Sequence, residues 1–175
     1  MISARARVRL ALGVGAGVLP GLLREGRIMR AHGGDITALQ RAGSAPAAAQ
    51  LLDTWGPTGR AAAHRSLLWD IPFQPVYAVL LADLIAAVNS WLGARDPLAR
   101  AAPALPVLAA GADAIEGVAH LRLLRTYAEG QPLHDRDARV GQRAALLKWA
   151  LLAASVGHVL GRPVLARSLA ALQAK

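Results

Sequence analysis

Four apolar stretches separated by polar segments form the main pattern of this chain. They cover about 8–23, 67–92, 99–124 and 144–160. Ala and Leu prevail in all four, and no sustained alternation of apolar and polar positions indicates a strand. The stretch 67–92 has room for the roughly 20 helical residues that cross a hydrocarbon layer of about 30 Å. The pattern therefore predicts an all-α protein, a four-helix transmembrane bundle in a single domain.

The polar segment between the first two stretches predicts two short helical pieces, 35–41 and 45–55. Asp35 and Ser44 precede them as N-cap residues, since their side-chain oxygens can accept a hydrogen bond from the first helical turn. The second piece carries Leu52 and Trp55 on one side, which is typical of an interfacial helix at the level of the lipid headgroups. An ordinary cap over the bundle is the alternative.

Prolines and charges set the predicted helix boundaries. The second long helix is expected to begin near Pro72, because proline is tolerated in a first turn. The sequence Gly-Arg-Pro at 161–163 predicts the end of the fourth helix. The run 129–143 alternates in charge sign and predicts a solvated loop. Beyond the fourth helix, 164–174 predicts a short amphipathic C-terminal tail.

The first apolar stretch follows three arginines, as a signal peptide or a retained anchor helix would. No small-x-small cleavage site follows it, so we expect a retained helix. Gly13, Gly17 and Gly21 recur every four residues on one face, a spacing that allows close helix contact. This stripe predicts a homo-oligomer formed through the three glycines.

Composition agrees with a membrane location. The 175 residues are 54% hydrophobic with a mean hydropathy of +0.34, and positions 76–88 contain only Asp83 as a charge. A water-exposed helix would present a polar face that these stretches lack. We expect a multi-pass protein of a bacterial inner or plasma membrane, with membrane lipid as its surroundings. A soluble helical ligand-binding bundle is the alternative.

The formal charge of +9 comes from 18 Arg and 2 Lys against 11 acids. The arginines flank the apolar stretches and do not gather on one face among aromatic readers, so we expect no nucleic-acid partner. The absence of cysteine excludes thiolate metal sites and cysteine nucleophiles. No nucleotide-binding or hydrolase motif is present, and we expect no cofactor.

Ionisable groups within the apolar stretches are the candidate functional residues, because their burial in lipid costs free energy unless they are paired. Three helices each carry polar side chains on one face. These groups are Asp70, Gln74 and Tyr77 in the second stretch, Asp113, Glu116 and His120 in the third, and Lys148, Ser155 and Arg162 in the fourth. If all three faces point inward, they form one polar pocket in an apolar shell.

Such a pocket suits proton chemistry on a lipophilic, isoprenoid-like or lipid-like small molecule. Desolvation favours a protonated carboxyl group, whereas a neighbouring ammonium favours the carboxylate. Asp113 or Glu116 as the acid, with Asp70 as the base, would fit isomerisation, cyclisation or hydration driven by protonation. The predicted catalytic residues are Asp70, Asp113, Glu116 and Lys148. The predicted substrate-binding residues are Gln74, Tyr77, His120 and Trp149.

Two other hypotheses use the same residues. Glu116 and His120 have the i, i+4 spacing that can hold a metal ion together with Asp113, but this spacing is common in helices, and we predict no metal. Lys148 could also pair with Asp113 or Glu116 only to fix the helix register. The protein would then be non-catalytic, either a proton-coupled carrier subunit or an assembly partner.

Three short motifs resemble small, uncharacterised bacterial four-helix membrane proteins. They are WDIPFQPVY at the second helix, ADAIEG in the third and LLKWALL in the fourth. The resemblance covers about 50–160. It implies the four-helix topology and the choice of polar positions, and it implies no activity.

Overall fold

The computed structural model describes residues 3–173, with side chains described for Ser3 and for 5–165. The elements are α1 (Ala4–Ala31), α2 (Ile36–Arg41), α3 (Ala45–Trp91), α4 (Pro97–Ala101), a 3-10 turn (Ala102–Ala104), α5 (Leu105–Ala128) and α6 (Asp135–Gln173). No strand occurs within the described part of the chain. The predicted all-α class is confirmed.

Four of the described helical segments are long and apolar enough to cross a membrane: those containing α1, α3, α5 and α6. Their outer surfaces are apolar, with exposed side chains such as Leu12, Ile115 and Leu147. Charged side chains such as Asp113 and Lys148 are buried instead. Because a soluble bundle has the opposite distribution, this fold is that of a multi-pass integral membrane protein.

Consecutive long helices pack against each other as antiparallel neighbours, α1 with α3, α3 with α5, and α5 with α6. The helices α3 and α6 therefore run in the same direction. They meet at one end of the bundle, where His158 Nε2 lies 2.8 Å from Asn89 Oδ1. We call this the Asn89 end, and the opposite end, where α2 lies, the α2 end.

One stripe of α1 residues faces the rest of the bundle. Its members recur with alternating spacings of four and three residues, the pattern of close helix packing. They are Ala11, Gly15, Val18, Leu22, Glu25 and Met29. Of the three predicted oligomer glycines, Gly21 lies against the Trp69 ring, whereas Gly13 and Gly17 have open space beside them. The homo-oligomer stays a prediction.

The short pieces between α1 and the second span agree with the prediction. Asp35 Oδ1 accepts from the Thr37 amide at the start of α2, and Ser44 Oγ accepts from the Ala47 amide at the start of α3. Gly56, with φ of 59°, separates Ala45–Trp55 from the remainder of α3. The positive φ is readily adopted only by glycine.

The predicted start of the second helix near Pro72 is wrong, because α3 continues through Pro72 and Pro75. A proline removes one amide donor, and in a membrane helix neighbouring helices and local adjustment compensate for that loss. Proline does delimit the third helix: Pro103 lies in the 3-10 turn before α5.

Both predicted ends of the fourth helix are also wrong. The helix α6 begins at Asp135 and continues through 161–163 to Gln173. Acidic residues in its first turn favour a helix N-terminus, and Arg139 pairs with Asp135 at 2.7 Å one turn apart. The alternating charges are thus the surface of a helix, and the predicted loop shrinks to 129–134. The predicted tail continues α6 as helix, and its side chains beyond 165 lie outside the described residues.

An ion pair connects the loop before α4 to α6. Arg162 Nη2 donates to both carboxylate oxygens of Asp96, at 2.7 and 2.6 Å, and this hydrogen bonding lowers the pKa of Asp96 below its ordinary value of 3.8. The carboxylate also accepts from the Ala99 amide as the N-cap of α4.

The lowered pKa of Asp96 predicts a pH-dependent difference in stability between the wild type and Asp96→Asn. Asn retains the capping acceptor but has no charge for Arg162. The folded state binds the proton more weakly than the unfolded state, so the ion pair stabilises the fold above about pH 4 and is lost as the pH falls further. Unfolding midpoints in detergent should differ at pH 7, and the difference should shrink as the pH is lowered below about 4. A constant difference over this range would contradict the assignment.

Candidate functional site

A buried ion triad joins α5 to α6. Lys148 Nζ lies 2.7 Å from Asp113 Oδ1 and 2.7 Å from Glu116 Oε2. All three side chains are at most 8% exposed. Asp113 and Glu116 are one helical turn apart on α5, so both reach the single lysine that α6 places between them. The structure thus brings together three of the four predicted catalytic residues.

Neutral side chains donate further hydrogen bonds to the two carboxylates of the triad. Tyr77 Oη of α3 donates to Asp113 Oδ2 at 3.0 Å. Gln40 Nε2 of α2 donates to Glu116 Oε1 at 2.7 Å, and Trp149 Nε1 donates to Gln40 Oε1 at 3.3 Å. These bonds hold both carboxylates in fixed positions.

Asp70 differs from the other two acids in its partners. Its Oδ2 accepts from Gln74 Nε2 at 3.2 Å, and no basic side chain of the described residues lies within ion-pair distance. It is partly exposed to the same cavity as the triad. Asp70 is therefore a carboxyl group with a neutral partner next to a charged cluster.

The cavity that connects Asp70 to the triad has a volume of about 580 Å³. It lies between α3 and α6, with α5 behind it and Thr37 and Gln40 of α2 at its α2 end. Its polar part contains Asp70, Asp113, Glu116 and Lys148. Its apolar part extends towards the Asn89 end and is lined by Phe73, Leu81, Leu152 and Val156. The arrangement can hold a mostly apolar molecule with one end against acidic groups.

The eight predicted site residues do not all line this cavity. Tyr77 and Trp149 do, together with the four predicted catalytic residues. Gln74 lines a neighbouring cavity of about 510 Å³ with Asp83. It is connected to the site by its hydrogen bond to Asp70. Ser155 and Arg162 were expected on the same polar face as Lys148. The Ser155 hydroxyl donates to the Leu151 carbonyl and Arg162 pairs with Asp96, so neither belongs to the pocket.

His120 is fully buried beside the triad and outside the cavity. Its Nδ1 lies 3.7 Å from Glu116 Oε1, too far for a hydrogen bond, and neither ring nitrogen has a hydrogen-bond partner in the described structure. Its ring packs against Gly141 of α6, where a Cβ atom would lie 2.6 Å from Nε2. Substrate contact by His120 stays a prediction that this position does not favour.

The contact between His120 and Gly141 predicts opposite effects for two glycine substitutions in α6. Gly141→Ala should destabilise the fold by about 1–3 kcal/mol, because the buried ring has no space to move. Gly157→Ala meets nothing within 4 Å and should stabilise the helix by about 0.5–1 kcal/mol. Unfolding by SDS titration in mixed micelles measures both. Equal effects would show that the helices do not pack closely at His120.

The metal alternative requires Asp113 and Glu116 as ligands. Both contact the Lys148 ammonium, and no group of three His, Cys, Asp or Glu residues in the described chain is arranged to hold an ion. The donor set therefore fits an ion triad better than a metal site.

Several buried polar groups are not predicted from the sequence, among them Gln40 and Glu25. Gln40 is contributed by the short helix α2, and one polar residue in a polar segment gives no signal. Glu25 is 1% exposed and pairs with Arg65 of α3 at 2.8 Å. The sequence does indicate Glu25, because this residue continues the α1 stripe that includes Val18 and Leu22. The first apolar stretch, 8–23, ends before it.

No protein-family model, curated protein or solved structure matches this chain. The resemblance to small bacterial four-helix membrane proteins stays a prediction.

Proposed function

We propose that this integral membrane protein is a small enzyme that protonates a lipophilic, isoprenoid-like or lipid-like substrate within the bilayer. One observation carries the proposal. An apolar cavity of about 580 Å³ between membrane-spanning helices contains a carboxyl group without a cationic partner, Asp70, beside two carboxylates held by Lys148. An acid beside two carboxylates in a mostly apolar cavity suits proton transfer to carbon.

The contacts favour a division of roles among the three acids. Asp113 and Glu116 each touch the Lys148 ammonium, which suits them to accept a proton from a cationic intermediate. Asp70 has only the Gln74 amide as its hydrogen-bond partner, which suits a proton donor. This reverses the roles suggested by the sequence, in which Asp113 or Glu116 was the acid and Asp70 the base.

The proposed step transfers the Asp70 proton to one carbon of a substrate double bond. The π electron pair forms the new C–H bond, the adjacent carbon becomes cationic, and Asp70 becomes a carboxylate. Loss of a proton from a neighbouring carbon to Asp113 or Glu116 restores a double bond and completes an isomerisation. Attack by water or by a second double bond on the same cation, followed by loss of a proton to Asp113 or Glu116, would instead give hydration or cyclisation.

A second candidate function is supported by the triad itself. A lysine bridging two carboxylates between α5 and α6 is what a register-fixing network requires. The protein would then be a non-catalytic carrier subunit or assembly partner. The cavity beside the triad has no role in an assembly partner, whereas in a proton-coupled carrier subunit it would hold the transported molecule.

Deuterium incorporation separates the two candidates without knowledge of the substrate. The protein is reconstituted into liposomes made from the total lipid extract of its source cells and incubated in D2O. Exchangeable sites are returned to hydrogen, and the lipids are analysed by high-resolution mass spectrometry. We expect one lipid species to gain deuterium at carbon, because protonated Asp70 carries deuterium in D2O.

The matched control is the triple variant Asp113→Asn, Glu116→Gln, Lys148→Met, which removes the charges and keeps side chains of similar size. We expect it to fold and to give no label. No label with the folded wild-type protein would contradict the enzyme hypothesis and favour a structural triad. Equal labelling by the triple variant would show that the triad has no part in the reaction.

A further inference from the structure

The polar part of the cavity has an excess of acidic groups. Asp70, Asp113 and Glu116 face it together with one basic residue, Lys148, so the formal local charge is −1 while Asp70 holds its proton and −2 once the proton has been transferred. The chain as a whole has a formal charge of +9. The cavity is therefore negative within a protein that is otherwise strongly basic.

Lys148 is not available to bind an anion. Its ammonium contacts Asp113 and Glu116, both at 2.7 Å, and the cavity lining contains no other basic side chain. A phosphate or diphosphate head would meet three carboxyl groups and no free cation. Like charges in a low-dielectric site repel strongly.

Aromatic side chains line the same space. Tyr77 and Trp149 lie beside the acidic groups, and Phe73 lies in the apolar part. The faces of aromatic rings attract cations, as the Lys148 ammonium 5.3 Å from the Trp149 ring already illustrates. From Asp70 to Leu81, α3 advances about 16 Å, which gives an apolar tail room beyond the polar end. Carboxylates and aromatic rings around one end of an apolar cavity complement a positive charge on a lipophilic molecule.

We infer that the substrate is a phosphate-free lipophile that becomes positively charged at the polar end of this cavity, and that the cavity selects for that charge. The inference rests on the proposed function, since the cation is the product of the proton transfer from Asp70. A single-chain alkylammonium ion imitates that cation. An alkyl phosphate of equal length represents the class of lipids that the acidic cavity should exclude.

Binding of three probes with the same tail tests this selectivity. Dodecylammonium, dodecanol and dodecyl phosphate are titrated separately into the intact protein in dodecyl maltoside, and native mass spectrometry measures the bound fraction. We expect dodecylammonium to bind at least about tenfold more tightly than dodecyl phosphate. Adventitious binding to a chain of charge +9 would favour the phosphate, so the expected order is the opposite of the non-specific one.

Asp70→Asn should weaken dodecylammonium binding, and Asp83→Asn should leave it unchanged, since Asp83 faces the neighbouring cavity and pairs with Arg7. Equal binding of dodecanol and dodecylammonium, or preference for the phosphate, would overturn the inference. Deuterium labelling together with phosphate preference would leave the enzyme hypothesis intact and remove only the charge selectivity. Selective ammonium binding without deuterium labelling would support a cation-binding site and contradict the enzyme hypothesis.

Discussion

Replacing Lys148 by Met is expected to lower the free energy of unfolding by about 3–5 kcal/mol. Asp113 and Glu116 are 5% and 3% exposed at their side chains, and Lys148 is the basic group in contact with both. Removing the ammonium leaves two buried carboxylates 2.7 Å from the place where their counter-charge was. SDS titration in mixed micelles, followed by circular dichroism, measures the loss.

Two further variants give this prediction its controls. Arg139→Ala breaks an exposed pair on the same helix and should cost less than about 1 kcal/mol. Adding Asp113→Asn and Glu116→Gln to Lys148→Met should recover most of the lost stability, because no uncompensated charge remains. A small effect of Lys148→Met alone, or no recovery in the triple variant, would mean that the triad is not a buried charge cluster.

Asp70→Asn is expected to reduce the rate of deuterium incorporation into lipid by about 10²–10⁴-fold, the usual contribution of a general acid. The amide cannot supply the proton, but its oxygen can still accept from Gln74, so the fold should change in stability by less than about 1.5 kcal/mol. The measurement is the initial labelling rate in proteoliposomes at equal protein content.

Asp83→Asn is the matched control for this prediction. It makes the same chemical change on the same helix, at an acid that pairs with Arg7 outside the cavity. We expect its labelling rate to equal that of the wild type. A retained rate in Asp70→Asn would remove Asp70 from the mechanism, and an equal loss in both variants would indicate a general effect on α3.

The architecture could be predicted from the sequence because hydrophobic length and helical spacing are local properties. The four spans and the two N-caps, Asp35 and Ser44, were predicted in this way. Helix ends could not be predicted, because α3 continues through Pro72 and α6 through 161–163, although proline and glycine usually disfavour a helix interior. The run 129–143 predicts a loop because its charges alternate in sign, but the same charges suit a helix surface, where Asp135 pairs with Arg139 one turn on.

The site was predictable where helical spacing decides it. The i, i+3 spacing of Asp113 and Glu116 placed both on the face that meets Lys148. The other contacts of the site depend on the distances between the helices. The approach of α5 to α6 decides whether Lys148 bridges both acids or only one. It also decides whether His120 faces a cavity or a glycine. Gln40 reaches Glu116 only because α2 folds back over the bundle.

Native mass spectrometry of the protein released from detergent tests the central claim most directly, namely that the cavity between α3 and α6 holds a lipophilic molecule. Leu152→Trp fills the apolar part of the cavity, and Leu147→Trp makes the same change on the outer surface of the same helix. We predict that the wild type and Leu147→Trp retain one defined lipophilic mass that Leu152→Trp loses. A bare polypeptide, or the same mixture of bulk lipids on all three proteins, would contradict the account.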